Sequence, residues 1–246
     1  MEVLSNLRLA VLIDADNVPH SNVKGMMEEI ARYGTPTLKR IYGDWTNPCL
    51  AGWKPCLLEN AITPIQQYGY TTGKNSTDCA MIIDAMDILY SQNVDGFCLV
   101  SSDSDFTRLA VRLREAGKKV IGMGEKKTPA PFIAACDKFI YIEIINGEQK
   151  NEKKSTVITD KERRYLTRII STAIDDLTVD DEEWVFLGEI GTQILKKHPD
   201  FDPRNYHFLK LTPLIKELGA FEIEERVAGK KIKHIYIRNK SASKYR

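Results

Sequence analysis

The sequence predicts an α/β fold, a parallel sheet with helices on both faces, followed by a small C-terminal winged helix-turn-helix domain. Three observations lead there. Residues 1–145 alternate short apolar runs with longer segments of helical periodicity, the pattern of a sheet built through crossovers. The stretch from Asn146 to Ser155 has no apolar residue and reads as a linker. Beyond it, helical patterns give way to two strand-like runs joined by a basic turn. The expected domains are therefore 1–145 and 159–240, with 146–158 between them.

In the first domain the strands are expected at 7–13, 37–42, 62–67, 96–101, 119–123 and 139–143, and the helices at about 21–33, 50–60, 78–91, 104–116 and 130–136. Gly117 closes the fourth helix as a C-terminal stop. Right-handed crossovers favour a first strand adjacent to the fourth. In the second domain a helix over 160–176 carries Leu166, Ile169, Ile170, Ala173 and Ile174 on one side. An apolar patch at Trp184 to Leu187 leads into a helix over 188–197, and Asp202 to Tyr206 begins another helical stretch. Thr212 and Pro213 read as the cap and first residue of a helix to Leu218. Strands over 220–226 and 232–238 complete the wing.

Two expected strands end in acids. The first runs into Asp14-Ala15-Asp16-Asn17, and the fourth into Ser101-Ser102-Asp103-Ser104-Asp105. Sites in open parallel sheets form at the carboxyl ends of strands, so adjacent strands of this kind would gather carboxylates. Such a cluster is stable only if a cation or shared protons offset the repulsion, which points to a divalent metal. Asp78 adds a third source, in the first turn of a helix so apolar that most of it must be buried. Asp84 comes six residues later, roughly 240° round that helix, and cannot closely share a face with Asp78. Asp16 reads as a helix cap, and Asn17 as a cap or a holder of water or phosphate oxygen.

The totals narrow the chemistry. Net charge is only +1, yet residues 204–246 carry 11 basic and four acidic side chains, which points modestly to a polyanionic partner. The five cysteines never fall as C-x-x-C, and the four histidines have no metal spacing, so zinc and triad chemistry lack support. No signal peptide or membrane span is expected, and a reducing cytoplasm is the default location. Gly69 to Lys74 resembles a phosphate loop only superficially, because Asn75 stands where Ser or Thr should follow the lysine. Lys74 remains a phosphate contact or a solvated loop lysine. Tyr42, Trp45 and Trp53 suit either core packing or base stacking.

Ile13 to Asn17, Gly73 to Asp78 with Ile83 to Asp87, and Val100 to Phe106 resemble the three signature segments of NYN domains, members of the PIN-like nuclease group. The segments Trp184 to Gly191, Phe201 to Tyr206 and Leu211 to Phe221 resemble an OST-HTH/LOTUS domain, a family associated with RNA binding and, in some members, protein partners. The first resemblance implies a PIN-like Rossmannoid sheet and a Mg²⁺- or Mn²⁺-dependent ribonuclease, with endonucleolytic cutting expected. It makes Asp14, Asp78 and Asp103 the principal metal-site and catalytic acids, with Asp105 as a fourth and Asp84 in support. Asn17, Lys74, Ser101 and Ser102 would meet substrate at the cleavage site, and Lys210, Lys216, Lys230, Lys231 and Lys233 would hold RNA on the second domain. Two rivals stay open: an RNA-binding adaptor with an inactive acidic pocket, and a haloacid-dehalogenase-like phosphohydrolase in which Asp14 attacks phosphate and Asp16 acts as acid.

Overall fold

The computed structural model describes residues 7–68, 76–147, 158–178, 183–228 and 232–240. The chain divides into two compact units, Met1–Asn151 and Glu152–Arg246.

The first unit contains β1 (Arg8–Asp14), α1 (Val23–Ile30), β2 (Thr35–Gly43), α2 (Trp53–Asn60), β3 (Thr63–Gln66), α3 (Ser76–Ser91), β4 (Gly96–Val100), α4 (Thr107–Glu115), β5 (Lys119–Gly124), α5 (Ala130–Ala135), β6 (Lys138–Tyr141) and α6 (Ile142–Gly147). Its sheet has the order β3-β2-β1-β4-β5-β6, with every neighbouring pair parallel. The order reverses between β1 and β4, as the crossover rules predict. Strands buried on both faces read as continuous apolar runs rather than alternating ones, and Leu9 to Ile13 are all fully buried. Alternate residues then serve two cores. Leu9, Val11, Ile13, Cys98 and Val100 pack with α1, α2 and α6, whereas Ala10, Leu12, Phe97 and Leu99 pack with α3, α4 and α5. Gly117 follows α4 with φ 74°, a left-handed position that glycine adopts without strain.

Two of the boundaries that differ from the sequence reading bear on the core. The last strand ends at Tyr141, and α6 begins at Ile142 instead of the strand running to 143. Ile142, Ile144 and Ile145 suggest alternation, yet all three are buried in the core that includes α1. Gly25 on α1 makes room for them, since a Cβ there would stand 2.5 Å from Ile145 Cγ2. The second helix starts only at Trp53, after a 3₁₀ turn at Pro48–Leu50 capped by Asn47.

The second unit contains α7 (Asp160–Leu177), β7 (Val185–Phe186), α8 (Leu187–Lys197), α9 (Leu211–Leu218), β8 (Phe221–Ala228) and β9 (Ile232–Asn239). Thr159 and Glu162 form a capping box at the start of α7. The strands make an antiparallel sheet in the order β7-β9-β8, one face of which covers the helices. Asp202 caps no long helix but a 3₁₀ turn, Pro203–Tyr206, which His207 ends at φ 67°. The final helix starts at Leu211, with Lys210 and not Thr212 at its N-cap, because Leu211 packs against the buried cluster and Pro213 is tolerated in a first turn. No described helix is long and apolar enough to cross a membrane.

Candidate metal centre

β1 and β4 lie side by side with Ile13 paired to Val100, so Asp14 and Ser101 are the next residues on adjacent strands. The Ser101 hydroxyl donates to Asp14 Oδ2 at 2.8 Å and accepts from the Asp103 amide at 3.1 Å. One side chain thus joins the two acidic strand tips. Asn17 Nδ2 donates to the same Asp14 oxygen at 2.6 Å, and the Asp16 amide donates to Oδ1 at 3.1 Å. Asp103 caps the 3₁₀ turn Ser104–Phe106 by accepting from the Asp105 amide at 2.9 Å, which brings both carboxylates to the same end of the sheet. Asp78 enters from the first turn of α3, whose buried residues Met81, Ala85 and Ile88 hold the helix on the sheet.

Among the described residues, Asp78, Asp103 and Asp105 each offer a carboxylate oxygen within 4.8 Å of the others. Asp78 is buried, Asp103 half-buried and Asp105 exposed, so the cluster opens to solvent on one side. Burial pushes the Asp78 carboxyl up to about 6, and the charges of Asp14, Asp103, Asp105 and Asp16 push in the same direction. Asp14 is only 1% exposed, and burial raises it too, opposed by its bonds from Asn17, Ser101 and the Asp16 amide. Hard oxygen donors, mutual repulsion and an open side are the chemistry that a hard divalent cation satisfies.

The remaining sequence-predicted residues are placed as follows. Asp84 is not one of the three gathered acids: its carboxylate pairs with Arg40 and accepts from the Tyr42 hydroxyl. These contacts tie α3 to β2, whose Tyr42 is in register with Asp14. Asn17 and Ser101 hold Asp14, and the Ser102 hydroxyl accepts from the Glu125 amide at 2.9 Å. Tyr42 and Trp53 are core residues, and the Trp45 indole N–H donates to the Ile65 carbonyl. Lys210, Lys216 and Lys233 are exposed on the second unit, where Lys233 pairs with Glu225 at 3.1 Å. Lys74, Lys230 and Lys231 lie outside the described residues. Asp16 lies outside the trio, and its charge acts on both Asp14 and Asp78.

Comparison with known proteins gives two family matches: the NYN domain over residues 8–143 and the OST-HTH/LOTUS domain over residues 158–233. A crystal structure of a protein of unknown function from Vibrio parahaemolyticus is similar, with 21% identity over 58% of this chain and 96% of that one, at a TM-score of 0.48. A solution structure of an uncharacterized protein from Nitrosomonas europaea shares 27% identity over 39% of this chain and 93% of that one, at a TM-score of 0.31. No curated protein matches.

Proposed function

From the premise that this chain belongs to the NYN domain family and carries an OST-HTH/LOTUS domain after it, we propose that it is a metal-dependent endoribonuclease with its own RNA-holding module. The observation that carries this reading is the convergence of Asp78, Asp103 and Asp105 at the end of a PIN-like sheet. These three would hold one or two Mg²⁺ or Mn²⁺ ions, with Asp14 adding its charge from the adjoining strand tip. When bound, the cation supplies Lewis-acid polarisation of the phosphate and a lowered pKa for an attacking water. The chain's own part is to keep the donors in place. Ser101 and Asn17 fix the Asp14 carboxylate, the turn at Ser104–Phe106 fixes Asp103 and Asp105, and the buried face of α3 fixes Asp78. The OST-HTH/LOTUS match supports RNA binding by the second unit, and Lys210, Lys216, Lys230, Lys231 and Lys233 would make its phosphate contacts. Such phosphate contacts make binding salt-dependent.

The test is cleavage of a mixed RNA pool and of a circularised RNA in Mn²⁺ by wild type and Asp103→Asn. Asparagine can still cap the turn, so the variant keeps its fold by circular dichroism. Wild type is expected to linearise the circle, and the variant to leave it intact. Full cleavage by Asp103→Asn removes the assignment, and an uncut circle beside a degraded linear pool makes the enzyme an exonuclease.

A further inference from the structure

The turn after β5 is joined to the turn that carries Asp103. Val100 of β4 pairs with Met123 of β5, so Asp103 and Lys126 each stand three residues beyond the same pair. Adjacent strands lie about 4.8 Å apart, which puts the two turns side by side at the acidic end of the sheet. Two hydrogen bonds link them: Ser101 N donates to Met123 O at 3.0 Å, and Glu125 N donates to Ser102 Oγ at 2.9 Å. Gly124 lets the backbones abut, since a Cβ there would stand 2.5 Å from Ser101 O. The turn is also closed on itself and on α6. Thr128 Oγ1 donates to Glu125 O at 2.6 Å, and Lys126 N donates to Glu143 Oε1 at 2.8 Å.

This built turn presents two lysines, and they differ. Lys127 is paired with Glu125. Lys126 is exposed, and its ammonium makes no ion pair among the described residues, although the Glu143 carboxylate accepts from its backbone amide and the Glu125 carboxylate pairs with Lys127. We propose that Lys126 is a substrate-positioning residue that holds the RNA phosphate next to the one lying over Asp78, Asp103 and Asp105. The inference rests on the nuclease reading. An array of acids repels a polyanion, and a cation bound among them offsets that repulsion only at the phosphate it touches. A positive charge carried on the next strand tip supplies the counter-charge for the neighbouring phosphate, and a lysine ammonium suits a single phosphate oxygen. Because the backbone of its turn is held at several points, only the side chain of Lys126 is ordered on binding.

The experiment measures steady-state cleavage of a short unstructured RNA by the full chain in Mn²⁺, across a potassium chloride series, for wild type, Lys126→Ala and Lys126→Arg. Lys126→Ala is expected to raise KM roughly threefold to tenfold, about 1 kcal/mol of binding, with kcat and the Mn²⁺ concentration for half-activity retained. The salt slope of kcat/KM should shrink by about 0.7, the value of one contact on a single strand. Lys126→Arg should restore KM and slope, which a merely structural lysine would not require. An unchanged KM and slope in Lys126→Ala overturns the inference, as does a loss confined to kcat or to Mn²⁺ dependence. If wild type itself cuts no RNA, the nuclease reading fails instead.

Discussion

At the scale of single residues the centre turns on Asp78. Its carboxyl is raised from 3.8 to about 6, first by burial and then by four neighbouring acids. A raised carboxyl keeps its proton in the folded chain where the unfolded chain has lost it, so the metal-free protein loses stability as pH rises from about 4 to about 6. Cation binding needs the carboxylate, and its dependence runs the other way. Mn²⁺ affinity should climb as pH rises through about 6, and Asp78→Asn should remove most of that climb. Mn²⁺ titration followed by electron paramagnetic resonance at pH 5 and pH 7 checks this, and equal affinities at both would refute it. Asp14, Asp103 and Asp105 were legible in the sequence because each follows an apolar run that can only be a buried strand. Asp78 was legible because a polar loop gives way there to an apolar helix. The partners of Asp84 were not, for Arg40 and Tyr42 lie more than forty residues away and no local spacing encodes them.

At the scale of elements, that same Asp84 explains how α3 is seated. The helix is apolar on most of its surface, so hydrophobic contact alone would hold it without fixing its rotation or register. The Asp84 carboxylate, bonded to Arg40 and Tyr42 of β2, supplies the directional contact. Tyr42 is fully buried, and burial together with the Asp84 carboxylate pushes its phenol well above the usual range. Asp84→Ala leaves that hydroxyl without its acceptor and Arg40 without its carboxylate, a loss of about 1–3 kcal/mol for a partly buried network. Urea unfolding should show it as a lower midpoint with an unchanged slope. A midpoint equal to wild type would mean that the apolar face suffices. The two central strands, β1 and β4, were readable from uninterrupted apolar runs and their adjacency from the crossover rules, because a doubly covered parallel sheet permits little else. The end of the last strand was not, since Ile142, Ile144 and Ile145 fit a strand or a short helix equally until Gly25 of α1 is seen to receive them.

At the scale of the whole molecule, each unit has a core of its own. The buried cluster of the second unit draws only on residues from Ile158 to Ile237, and those of the first only on residues from Leu9 to Ile145. Among the described residues each buried cluster is built within its own unit, so residues 1–147 and 158–240 should fold as separate pieces. The charge is divided as well: the acids that would hold the cation belong to the first unit, and the basic excess to residues 204–246. If one unit cuts and the other holds, joining them turns the second encounter with a long RNA into an intramolecular one. Residues 1–147 alone should then keep kcat on a long RNA while KM rises on the order of tenfold or more. Adding residues 158–240 as a separate chain should not restore KM, because the gain comes from the covalent link. Equal KM for the isolated piece and the full chain would show that the second unit does not hold the RNA being cut, and would turn the search toward a protein partner for it.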